Sequence, residues 1–153
     1  MTSTLIQDTL TLTAPGEIKP HQDILIRDDK IAQVSDHGTI TVQADETIDG
    51  THRLFMPGLI DSHLHTGQQL LRGRVLDTKG IIWQKVMLPF EANMTAETMT
   101  LNAQLTALEM ITSGTTGFVE SGSYHMAAAG TVYAKSGLRG ALAYSTMDDP
   151  TLP

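Results

Sequence analysis

A chain of 153 residues is long enough to bury a core, and its 41% hydrophobic and 18% charged content excludes an intrinsically disordered segment. A formal net charge of −7, with no Lys/Arg-rich run, argues against a nucleic-acid surface, and no apolar stretch approaches the length of a membrane span. Cysteine is absent, which excludes disulfides and thiolate metal sites and leaves His, Asp, Glu or water to hold any metal.

The chain opens at Met1-Thr2-Ser3-Thr4 without the basic stretch and apolar run of a secretory leader, so the expected location is the cytoplasm. Leu10 and Leu12 then alternate with Thr9, Thr11 and Thr13, a pattern that predicts a half-buried strand. Ile24-Leu25-Ile26 and Ile31-Ala32-Gln33-Val34 flank the polar turn Asp28-Asp29-Lys30 and predict a hairpin. Further short strands are expected over Thr39 to Val42 and near Thr47-Ile48. Residues 1–56 therefore predict a small β domain with few apolar positions for a core of its own.

The pattern changes at Met56-Pro57-Gly58. Leu59 to His65 is a strand candidate, followed by a long mixed connection from Thr66 to Asn93. Thr95 is placed to cap a helix whose apolar positions Leu101, Leu105, Leu108 and Ile111 fall at helical spacing, and Ser113-Gly114 ends it. Thr115 to Glu120 predicts a strand, Tyr124 to Ser136 an Ala-rich helix stopped by Gly137, and Leu138 to Tyr144 another strand. Strand, helix, strand, helix, strand is the pattern of parallel βα units, so the fold class is α/β.

The first of these strands carries the chemistry. Strict alternation puts Asp61, His63 and His65 on one side and Ile60, Ser62 and Leu64 on the other. Two imidazoles at i and i+2 on one face converge on a single cation, and neutral imidazole suits zinc and neighbouring first-row metals. A bare His-x-His is common by chance; the apolar strand around it and the βα units after it give this one weight.

Met56-Pro57-Gly58-Leu59-Ile60-Asp61-Ser62-His63-Leu64-His65 resembles the opening strand of the amidohydrolase superfamily. Gln68-Gln69-Leu70-Leu71-Arg72-Gly73 resembles its continuation in the aminohydrolase branch, which includes cytosine, guanine and adenosylhomocysteine deaminases and triazine hydrolases. Ile111 to Phe118 is similar to the approach to the second barrel strand, and Asp23 to Ile26 with Lys30-Ile31-Ala32 to the family's N-terminal β domain. The resemblance implies part of a small β-sandwich over 1–56. It implies the first three or so strands of an incomplete (β/α)8 TIM-type barrel over 57–153. It makes His63 and His65 the first two ligands of a divalent metal, zinc with iron as the alternative. The implied reaction is attack of metal-activated water on an amidine-like ring carbon of a small heterocyclic substrate, with ammonia or another group leaving.

Several other residues are candidates. Gln68 matches a glutamine that would hydrogen-bond the heterocycle in some relatives, or it is an ordinary loop residue. Arg72 is expected to organise the first βα connection. Trp83, in a connection of the length typical of binding loops, either stacks on a flat ring or anchors the loop. Nucleoside-binding relatives carry acids just before this tryptophan; here Gly80-Ile81-Ile82 stand there, which points away from ribose binding and from adenosylhomocysteine. Glu120, at the end of the second strand, either faces substrate or is a hydrogen-bonded carboxylate in the barrel mouth. His125 is expected to cap or decorate the second helix, Asp61 to hydrogen-bond below the histidines, and the methionines to fill the core.

A closed barrel needs about 250 residues, so the expectation is a fragment or truncated product that is inactive alone, its catalytic residues lying beyond Pro153. Its partner is then a missing C-terminal barrel segment or a second copy of the chain. The alternative from another class is a non-catalytic binding or assembly module whose open sheet docks onto another protein.

Overall fold

The structure is a computed structural model and describes residues 2–75, 77 and 79–146; Pro153 lies outside them. The chain divides into two compact units, residues 1–57 and 58–153.

The first unit is a five-stranded sheet. Strands β1 (Ser3–Ala14), β2 (Glu17–Arg27) and β3 (Lys30–Asp36) form an antiparallel meander, while β4 (Glu46–Asp49) and β5 (Leu54–Phe55) pair with β1 in parallel. The turn at Asp28-Asp29 joins β2 to β3, as the polar break between two apolar runs predicts. Its apolar centre is small, with Leu5, Leu25 and Ile40 forming one buried cluster. The strand expected over Thr39 to Val42 is not formed: the backbone there is irregular, and Ile40 is buried by dropping into that cluster rather than by ladder pairing.

The second unit is a parallel sheet in the order β6 (Leu59–Leu64), β7 (Thr115–Ser123), β8 (Arg139–Tyr144), with helical connections between successive strands. After β6 come a 3-10 turn over Thr66–Leu71, a π-helical turn over Trp83–Met87 and the short α1 (Leu88–Ala92). The long α2 (Ala96–Ser113) starts at a capping box in which Thr95 and Thr98 satisfy each other's backbone amides, and Gly114 ends it at φ 80, the left-handed geometry glycine tolerates. Helix α3 (Met126–Ser136) follows β7 and stops at Gly137.

The core of this unit lies between the sheet and the two longer helices. Met94, Met99, Ala103, Ala107, Met110, Phe118, Met126, Ala129 and Tyr133 form one cluster. The face of α2 that it uses is not the leucine face expected from the periodicity. Leu101, Leu105, Leu108 and Ile111 are all exposed, from 39% to 59%, whereas Met99, Asn102, Ala103, Thr106, Ala107 and Met110 are buried. Both stripes have helical spacing, and small residues win the inner position because Ala103 and Ala107 let α2 approach its neighbours closely.

Candidate metal centre

The β6 strand departs from simple alternation just where the site begins. Ile60 pairs with Gly117 and Asp61 with Phe118, and the register then steps before Leu64 pairs with Glu120. Alternation is interrupted between Asp61 and Leu64, so the shared face expected for Asp61, His63 and His65 is broken at its first member. Asp61 is half-buried, and its Oδ1 accepts the backbone N–H of His63 at 3.1 Å. A carboxylate turning back on the amide two residues ahead stabilises such an irregularity, so Asp61 shapes the strand under the histidines.

Beyond the irregularity the two faces are distinct. Leu64 packs against the helix-side core, and Phe118 and Glu120 of β7 are buried on that same side. His63 and His65 turn to the open face. His63 is exposed, His65 is half-buried, and the Ser121 hydroxyl lies 3.1 Å from the ring nitrogens of His65. The two imidazoles stand edge to face, with centroids 4.9 Å apart and their Nε2 atoms separated by 3.1 Å.

That separation is a test of fit for a metal. Two nitrogens each about 2.0–2.1 Å from one zinc, at an angle between square and tetrahedral, lie about 2.9–3.4 Å apart. The pair therefore matches two ligands of one cation without rearrangement. A proton shared between the rings suits the same spacing, so the cation and the proton compete for one position. Among the described residues no cluster of three or more His, Asp or Glu side chains converges, so the histidines are the local donor set.

The other candidates lie around the segment that follows His65. Gln68 donates from Nε2 to Glu91 Oε1 at 2.7 Å, and the other oxygen of Glu91 takes the Ser123 hydroxyl. Glu91 is 5% exposed. Arg72 makes a two-pronged ion pair with Glu109 of α2, which also takes the Gln69 amide; the hydrogen bonds hold the Glu109 carboxyl below its usual range. Asn102 of α2 accepts the Leu70 N–H at 3.2 Å. Arg72 thus organises the connection, as expected. Trp83 is 47% exposed in its π-helical turn, and no ring contact joins it to the histidines among the described residues. His125 bonds the Met94 carbonyl through Nε2 at 2.9 Å and makes no side-chain cap to α3.

Glu120 does not face the open side. It is 1% exposed, accepts the Thr66 N–H at 2.7 Å together with the Thr66 hydroxyl, and accepts the Gly122 N–H at 3.1 Å. Of the two alternatives for Glu120, this geometry is that of the hydrogen-bonded carboxylate, because an even step along β7 from Phe118 carries it to the helix side. The same network holds Tyr133, whose hydroxyl lies 2.7 Å from Thr66 Oγ1; burial pushes its pKa up to about 12. Ser121, Thr66, Glu91 and Tyr133 escaped the sequence reading. Their roles depend on cross-strand register and helix packing, for which a single sequence carries no signal.

The sequence pattern of the amidohydrolase family matches residues 54–150. The chain belongs to the amidohydrolase family. It is 39% identical over 127 residues, 82% of this chain, to a 5-methylthioadenosine/S-adenosylhomocysteine deaminase of Thermococcus kodakarensis, covering 29% of that relative. It is 35% identical over 148 residues, 96% of this chain, to a 5'-deoxyadenosine deaminase of Methanosphaera stadtmanae, covering 34% of it. The chain thus spans about a third of the length of the curated relatives it matches. Among solved structures, a triazine hydrolase from Arthrobacter aurescens superposes with a TM-score of 0.81 at 21% identity, over 96% of this chain and 36% of that one. An adenosine deaminase from Xanthomonas campestris with bound zinc gives 0.80 at 23% identity, over 91% and 33%. These likenesses establish an α/β amidohydrolase fold. Both curated relatives named here are adenosine-type nucleoside deaminases. No helix among the described residues is long and apolar enough to cross a membrane.

Proposed function

We propose that this amidohydrolase chain carries the first metal-binding strand of a deaminase that hydrolyses a C–N bond of an aminated heterocycle. His63 and His65 hold one divalent cation, zinc first and iron as the alternative. The observation that carries the reading is the 3.1 Å approach of the two Nε2 atoms on the open face of the parallel sheet. The zinc bound by the structurally similar adenosine deaminase supports it. A bound dication supplies activation of water for attack on carbon at neutral pH.

The chain's own residues do the positioning. Asp61 shapes the strand below the pair, and Ser121 packs its hydroxyl against His65. Gln68 has its amide nitrogen committed to Glu91, which leaves its carbonyl as the group offered to a donor on the heterocycle. Trp83 offers a half-exposed indole for a flat ring. The three parallel strands are the opening strands of a (β/α)8 barrel, and the remaining ligands and the acid–base group come from other strands of it. Adenine nucleosides, whose exocyclic amine is the leaving group in the curated relatives' reactions as named, are the first substrate class to test.

The test measures zinc per chain and ammonia release on the 153-residue chain, with a panel of aminated purines, pyrimidines and triazines. The expected outcome is about one zinc per chain, lost on substituting both histidines by alanine, and no turnover by this chain alone. Zinc uptake that survives the double substitution overturns the assignment of the ligands.

A further inference from the structure

We infer that Glu120 is a positioning residue for His65, acting through the backbone of Thr66 where the β6–β7 ladder fails. The inference rests on the ligand reading of His63 and His65 and deepens it by naming what holds the second imidazole still.

His65 is the first residue past β6, with φ −123 and ψ 90, and the chain turns there into the 3-10 segment. The last ladder pair is Leu64 with Glu120, and the register is irregular on both sides of it: before Leu64 toward β6, and after Glu120 toward β8. The Thr66 amide is therefore a donor at a place with no regular strand partner. Glu120 Oε2 accepts it at 2.7 Å and accepts the Thr66 hydroxyl too. Oε1 accepts the Gly122 amide at 3.1 Å. Gly122 sits at φ 105, and a Cβ there would fall 2.7 Å from the Ser145 nitrogen, so this bend is available to glycine alone.

One carboxylate thus fastens two segments at once. The first is the turn that follows His65. The second is the irregular end of β7 that follows Ser121, the residue whose hydroxyl borders the His65 ring. Because Glu120 is 1% exposed, water does not compete for its oxygens. Tyr133 closes the remaining side: with the Thr66 hydroxyl donating to the carboxylate, the tyrosine hydroxyl donates to Thr66 Oγ1 at 2.7 Å. Its ring is fixed against Phe118, centroids 4.5 Å apart. A metal–nitrogen bond tolerates errors of about 0.2 Å, so a small tilt of the His65–Thr66 peptide plane, through the φ and ψ of the flanking residues, is enough to take Nε2 off its ligand position. Glu120→Gln keeps the side-chain volume but turns one acceptor into a donor facing an amide N–H.

The experiment uses the full chain and two readings: zinc affinity by competition with a chromophoric chelator, and amide hydrogen exchange at Thr66 and along α3. Wild type, H63A, Glu120→Gln and Tyr133→Phe are compared. Expected for Glu120→Gln is a roughly tenfold loss of zinc affinity, the low end for outer-shell partners, with faster exchange at Thr66 while α3 stays protected. Tyr133→Phe, which leaves the Thr66 amide bound, should lose no more than about threefold. A folded Glu120→Gln chain with wild-type zinc affinity overturns the inference and leaves the ligand reading standing. If wild type takes up no zinc, or H63A binds as well as wild type, the ligand reading falls, and unchanged Thr66 exchange in Glu120→Gln then sinks the positioning claim too. Should Glu120→Gln not fold, Glu120→Asp gives the same readings, since a carboxylate one methylene shorter does not span both amides.

Discussion

At the scale of single residues, buried carboxylates organise both units. In the β unit Asp23 is fully buried and accepts from the Asp8 and Gly38 amides and from the His37 ring. Burial opposes ionisation of Asp23, but the hydrogen bonds from His37, Asp8 and Gly38 outweigh it and its pKa is lowered. The same hydrogen bond to Asp23 raises the pKa of His37. The signs define a window. The Asp23 contribution is present above its unfolded value of 3.8 and is lost as pH falls through its lower folded value. The His37 contribution is present below its unfolded 6.5 and is lost as pH rises through its higher folded value. Thermal denaturation followed from pH 3 to 9 should therefore show greatest stability of this pair between these limits, and His37→Gln should flatten the alkaline decline; an unchanged alkaline limb contradicts the pairing. At this scale the sequence announces His63 and His65 because chemistry and spacing lie within one short run of residues at the end of β6. It does not announce Ser121 or Thr66, whose neighbours are more than fifty positions away along the chain.

At the scale of elements, caps and turns were the readable part. Thr95, Gly114 and Gly137 mark helix ends by local backbone needs, and the structure uses all three. The choice of inner face on α2 was not readable, because two apolar stripes run along it and the larger one faces out. That inversion gives opposite expectations for two neighbouring substitutions. Met110→Ala, in the buried stripe, should cost about 2–5 kcal/mol, whereas Leu108→Lys, 59% exposed, should stay within about 0.5 kcal/mol. Urea denaturation of both variants reads the difference, and the reverse order of cost would mean that the leucines form the inner face. Thr39 to Val42 failed for a related reason: β-prone residues predict a strand, but burying one isoleucine does not require a ladder partner.

At the scale of the whole molecule, the succession of strands and helices after Pro57 was legible as parallel βα units from periodicity alone, and the long opening motif carried the family. An open sheet was expected from the chain's length, but which large apolar side chains it exposes was not legible, since exposure depends on what lies opposite rather than on the residue itself. Ile60 there is 74% exposed and Val119 45%, large apolar groups beside the histidines on a face that a solitary soluble domain would cover.

The fork by which Glu109 grips Arg72 and Gln69 has a further effect on how proteases see the chain. A trypsin-like enzyme must draw an arginine into its specificity pocket and extend several flanking residues, which the Glu109 fork and the Asn102 clasp on Leu70 resist. Arg74 and Lys79, exposed just past that clasp, lack it. Brief digestion should nick the chain after Arg74 or Lys79 well before Arg72, and Glu109→Ala should advance Arg72 to the front of that order, as mass spectrometry of the first fragments would show.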